Sequence, residues 1–95
     1  MIDKLQQFEN TLDIVSENMK IDPEKVLSRT RKISVVLSRN VLIYIMRKHF
    51  NFSYLEIARL TGFKHTTIIN SFNKTINIPF LADYSDRLYS EKIKI

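Results

Sequence analysis

The chain has 95 residues, the length of one domain rather than two, and its 44% hydrophobic and 26% charged composition is that of a globular domain, not a disordered tail. With no cysteine and a single glycine, Gly62, it excludes disulfides, thiolate zinc sites, thiol nucleophiles and glycine-rich phosphate loops; no apolar run approaches the roughly 18 residues of a membrane span. The net charge of +5 is uneven: residues 1–19 carry one lysine against four acids, residues 20–76 eleven Lys or Arg against three acids, and residues 77–95 three of each.

The first segment places Leu5, Phe8, Leu12, Val15 and Met19 at steps of three and four, predicting an amphipathic helix over 2–19. That stripe packs against a core or, as a short heptad seam, forms a homodimer interface. Its acidic start is unlike a signal peptide, so an intracellular domain is expected. After a turn at Lys20-Ile21, Asp22-Pro23-Glu24 opens a short second helix: Asp22 accepts from the free amides, Pro23 fits the first position and Glu24 meets the positive end of the dipole. Ser28 to Lys32 breaks the apolar pattern and reads as an exposed basic loop. Between Glu24 and Glu56 there is no acid, while Lys25, Arg29, Arg31, Lys32, Arg39, Arg47 and Lys48 all fall there. Such a block points to a polyanionic partner, a solvated basic face being the plain alternative.

From about Ser34 to His49 the chain is apolar on nearly every side, predicting a central buried helix with Arg39, Arg47 and Lys48 at its wet positions. Ser53 and Glu56 have capping-box spacing ahead of Leu55, Ile57 and Leu60. Thr61-Gly62-Phe63 is a tight turn in which the glycine takes positive φ. A helix from about Lys64 to Ile76 buries Ile68 or Ile69, Phe72 and Ile76, and Pro79 closes it. Residues 79–95 form a weakly helical tail outside a domain at 1–78. The fold class is all-α: a small helical bundle containing a helix-turn-helix.

A helix, a glycine turn and a second helix can set the second helix into the major groove of DNA. At that helix's start Lys64 and His65 are donors, Thr66 and Thr67 offer hydroxyls and methyls, and Asn70 follows one turn on. The dipole and free amides favour a phosphate there. Helical hairpins with a turn glycine are also common core architecture, and capping alone would account for Thr66 and Thr67. His49 and His65, without clustered acids, make no persuasive metal site. No paired carboxylates or nucleophile–base pair can be assembled, so an enzyme is not expected.

From about Ile14 to Ile78 the sequence resembles the C-terminal DNA-binding domain of the bacterial chromosomal replication initiator, DnaA. Ile21 to Leu27 corresponds to its short second helix, Ser28-Arg29-Thr30-Arg31-Lys32 to its basic loop, and Ser38-Arg39-Asn40 to the start of its long helix. Tyr54-Leu55-Glu56-Ile57-Ala58 and Lys64-His65-Thr66-Thr67-Ile68 match its next two motifs. The resemblance implies double-stranded DNA as partner; from the residues themselves, without an apolar span, a metal cluster or a phosphate loop, no membrane, cofactor or nucleotide is expected. It implies Arg31 in the minor groove, Arg29 and Lys32 near the backbone, Arg39 on a phosphate, and His65, Thr66 and Thr67 in the major groove; Thr61, Lys64, Asn70 and Lys74 complete the expected contacts.

Two features depart from the family. Lys64 stands where the family has aspartate, in a turn about one residue shorter, so the initiator's nine-base box is not assumed to be the target; a carboxylate accepts from cytosine, whereas lysine donates to guanine or phosphate. Nothing in the sequence resembles the initiator's ATPase domain. A cytoplasmic, nucleoid-associated regulator of replication or transcription is expected, of host, phage or mobile-element origin. A protein-interaction module that keeps the fold without binding DNA is the alternative.

Overall fold

The computed structural model describes residues 3–94, so the expected helix start at Ile2 and the end of the tail at Ile95 lie outside the described residues. Among the described residues six α-helices follow in order: α1 (Lys4–Met19), α2 (Pro23–Val26), α3 (Ile33–Lys48), α4 (Tyr54–Thr61), α5 (His65–Ile76) and α6 (Pro79–Leu88), ending in a π-helical turn, Tyr89–Ile93. There is no strand among the described residues. The all-α expectation holds, with the basic loop and the glycine turn where the sequence put them.

The core forms around α3, whose consecutive residues Val41 to Met46 are all buried. A helix apolar on every side needs neighbours on every side, and α1, α2, α4, α5 and α6 all pack against it. From α1, Phe8, Leu12 and Val15 turn inward, while Leu5 is left 56% exposed. The middle of the seam that offered a homodimer interface is therefore spent on the core. Burying each such side chain stabilises the fold by about 1.5–3 kcal/mol.

Local chemistry sets the helix ends. Asp3 caps α1 by accepting from the Gln6 amide at 2.8 Å, and Lys20 ends it in the left-handed region at φ 59°. The Ser53–Glu56 capping box on α4 is present in both directions. Gly62 ends α4 at φ 80°, its amide donating to the Ala58 carbonyl. Three expectations fail locally. Asp22 makes no side-chain cap, its backbone carbonyl accepting from Lys25 and Val26 instead. Arg39 and Arg47 are half-buried: Arg47 donates to the Phe52 carbonyl at 3.1 Å and lies over the Tyr54 ring, leaving only Lys48 exposed. On α4 and α5, Leu55 and Ile76 face solvent while Ile57 and Ile68 fill the core.

The segment after Ile78 is more ordered than its sequence pattern suggests. Leu81, Ser85 and Leu88 of α6 are buried, and the helix packs against both α3 and α5. Asp86 anchors it: His49 Nε2 lies 2.8 Å from one carboxylate oxygen, and Lys48 donates to both at 3.1 and 3.2 Å. Tyr89 stacks on the His49 ring at 4.0 Å. Among the described residues no helix is long and apolar enough to cross a membrane.

Candidate nucleic-acid interface

The helix-turn-helix is α4, the Gly62 turn and α5. Thr61 braces the turn from inside. It is 7% exposed, its hydroxyl donates to the Ile57 carbonyl at 2.8 Å, and the same oxygen accepts from the Phe63 amide at 3.3 Å. Thr61, expected among the DNA contacts, is instead buried, with both roles of its hydroxyl filled by backbone.

The start of α5 is open. Lys64 occupies the cap position without a side-chain capping bond, whereas α1 and α4 are capped by Asp3 and Ser53. Its first-turn amides therefore lack that partner and lie at the positive end of the helix dipole. His65, Thr66 and Thr67 are all exposed there, and the His65 ring meets Tyr54 edge-on at 6.1 Å. One buried polar pair fixes α5 on α3: the Ser71 hydroxyl donates to Asn40 Oδ1 at 2.6 Å.

Two grooves run beside this helix. One, of about 310 Å³, is lined by Arg29, Arg31, Arg39, Phe63, Lys64 and Thr67. The other, of about 200 Å³, is lined by Val36, Arg39, Asn40, Thr67, Asn70, Ser71 and Lys74. They meet at Arg39 and Thr67, so the basic loop and the exposed face of α5 form one surface. No carboxylate lines either groove. Asp86 and Glu56 are engaged elsewhere, by His49 and Lys48 and by Lys4, and Asp83 pairs with Arg87. None of Arg29, Arg31, Lys32, Arg39, Lys64 and Lys74 forms a salt bridge among the described residues.

Of the expected site residues, Arg29, Arg31, Arg39, Lys64, Thr67, Asn70 and Lys74 converge on the two grooves. Lys32, His65 and Thr66 are exposed on the same elements but line neither. Sequence reasoning missed two supports. Phe63 lies under the Arg39 guanidinium at 4.9 Å, and Asn40 is the buried acceptor for Ser71. An amide directly ahead of the apolar run Val41 to Met46 was the available signal for Asn40. Arg39 itself is partly desolvated, which pushes its pKa below the ordinary arginine value.

The profile of the bacterial dnaA protein helix-turn-helix family matches residues 8–75. The chain is 33% identical over 73 residues to the chromosomal replication initiator protein DnaA of Kosmotoga olearia, covering 77% of this chain and 16% of that protein. It is 38% identical over 61 residues to the protein of the same name from Herpetosiphon aurantiacus, covering 63% and 13%. With that of Desulfotalea psychrophila it shares 36% over 86 residues, covering 86% and 18%. The chain thus spans less than a fifth of the length of these relatives. No solved structure matches it. The match across 8–75 carries both helices of the helix-turn-helix and the basic loop together, and the chain belongs to the bacterial DnaA helix-turn-helix family.

Proposed function

We propose that the chain binds double-stranded DNA and serves replication initiation or its control, laying α5 in the major groove and the Arg29–Lys32 loop along the adjoining minor groove. The observation that carries this reading is the single acid-free face on which Arg29, Arg31, Arg39, Lys64 and Lys74 meet around the open start of α5. Cations held apart from carboxylates keep their field for a polyanion. In this reading Arg31 enters the minor groove, where a narrow A·T-rich duplex has enhanced negative potential. Arg29, Lys32 and Lys74 neutralise phosphates, and Lys64, His65, Thr66, Thr67 and Asn70 meet base edges and backbone. Ile33, 76% exposed directly after Lys32, gives the loop an apolar tip for deoxyribose.

The reading is tested by fluorescence anisotropy with two labelled duplexes, one carrying the initiator's nine-base box and one scrambled, across a salt series. Each neutralised phosphate contributes about −0.9 to the slope of log affinity against log salt. Lys74→Ala is expected to weaken both duplexes alike and lower the slope by about one contact, while Arg31→Ala reduces any preference between them. Absence of binding to either duplex at low salt would overturn the reading.

A further inference from the structure

Among the described residues, Arg39 is the one cation of the face whose donors are largely committed within the protein. Its Nε donates to the Val26 carbonyl at 3.2 Å, and its Nη2 donates to the Ser28 carbonyl at 2.5 Å and the Thr30 carbonyl at 3.1 Å. Val26 ends α2, and Ser28 and Thr30 alternate with Arg29 and Arg31 along the loop. The same guanidinium has its carbon over the Phe63 ring, 4.9 Å from the centroid, and Phe63 directly precedes the Lys64 cap of α5. One planar group therefore holds the backbone of the basic loop on one side and the start of the recognition helix on the other.

We infer that Arg39 is a positioning residue, which fixes Arg29 and Arg31 relative to α5 before DNA arrives and acts on binding through them rather than by a phosphate contact of its own. The inference rests on the DNA-binding reading above. Ser28 is also tied to the Lys25 carbonyl by its hydroxyl at 2.6 Å and its amide at 3.0 Å, but beyond it the other supports of the loop are weak: the Thr30 amide reaches Ser28 Oγ only at 3.4 Å and the Lys32 amide reaches Thr30 Oγ1 only at 3.5 Å. A loop of arginines held by such contacts alone would have to be ordered on binding, at a cost in affinity. Three carbonyls and a ring face need the guanidinium fork. Lysine, a compact point charge on a flexible stem, serves a phosphate but cannot reproduce that set.

The test compares Arg39→Lys and Arg39→Gln with the wild type, using the duplex that the wild type binds more tightly and checking each variant's fold by thermal melting. A positioning role predicts that both variants lose affinity alike, on the order of tenfold, the effect of leaving about one more residue to be ordered on binding. It also predicts that the loss from Arg39→Lys shrinks to about twofold or less in an Arg31→Ala background, because the two residues then share one effect. Phe63→Leu, which keeps apolar volume but removes the ring face, should weaken binding in the same direction, and it stands in for any Arg39 variant that does not fold. Wild-type affinity in Arg39→Lys, or full additivity with Arg31→Ala, would overturn the positioning role while leaving DNA binding intact. Loss of all binding in the wild type would instead overturn the reading beneath it.

Discussion

The Ser71 hydroxyl donates to Asn40 Oδ1 at 2.6 Å with both residues buried, so a polar tie between α3 and α5 sits within the apolar packing of Ile68 and Phe72 against the central helix. Removing the donor leaves the Asn40 acceptor buried and unpaired, which costs about 1–3 kcal/mol. Ser71→Ala should therefore lower the melting temperature clearly. The Asn40→Ala, Ser71→Ala double variant should lose less than the sum of the single losses, which a double-mutant cycle in urea measures.

Asp86 holds the last helix to the core. Burial alone would raise its carboxyl, but hydrogen bonds from His49, Lys48 and Tyr44 outweigh that and keep it below the ordinary carboxylate value. A carboxyl whose folded pKa lies below its unfolded value, about 3.9, stabilises the fold above that value, and the contribution is lost as pH falls through the folded pKa. Asp86→Asn should cost about 1 kcal/mol at neutral pH, a figure kept low because the side chain is 36% exposed and screened by solvent. The gap in melting temperature between wild type and variant should close as the pH drops below about 4.

Gly62 sits at φ 80°, yet a Cβ built there meets nothing within 4 Å. Only the backbone conformation resists substitution, so Gly62→Ala should cost roughly 1–2 kcal/mol. Asn tolerates the left-handed region better than Ala, so Gly62→Asn should cost less. For a domain of this size, 1 kcal/mol corresponds to about 4–8 °C in a thermal melt.

In the proposed function, Lys64 trades stability for recognition. Aspartate at the cap of α5 would accept from the free amides that lysine leaves without a side-chain partner, and a good cap is worth about 0.5–2 kcal/mol. Lys64→Asp should therefore raise the melting temperature. It should also lower the salt slope and move the base preference at one position from guanine toward cytosine, which a panel of single-substitution duplexes reads out.

The parts of this fold set by local chemistry were legible in the sequence. The Ser53–Glu56 box, the Gly62 turn and the unbroken apolar run of α3 each depend on residues within a few positions of one another, and each formed as its pattern predicts. The basic loop and the start of α5 were legible for the same reason, and their meeting in one face follows from packing both against α3. What escaped was decided by how the helices pack on one another rather than by the local pattern. Arg39 reads as a wet position on a buried helix, but it finds carbonyls 9 to 13 residues upstream. Thr61 reads as a surface hydroxyl, but the docking of α4 turns it inward. In α6 the buried positions Leu81 and Leu88 have Ser85 between them, whose hydroxyl is satisfied by the Leu81 carbonyl at 2.8 Å. That serine interrupts the apolar periodicity although it belongs to the core.

The most direct test of the account is to titrate an isotope-labelled chain with a duplex and follow every backbone amide by NMR. Binding through the basic loop and α5 predicts that the large shifts fall on residues 29–33 and 63–74, with the exposed faces of α1 and α6 unmoved. Shifts centred on α1 or α6, or no shifts at low salt, would contradict it.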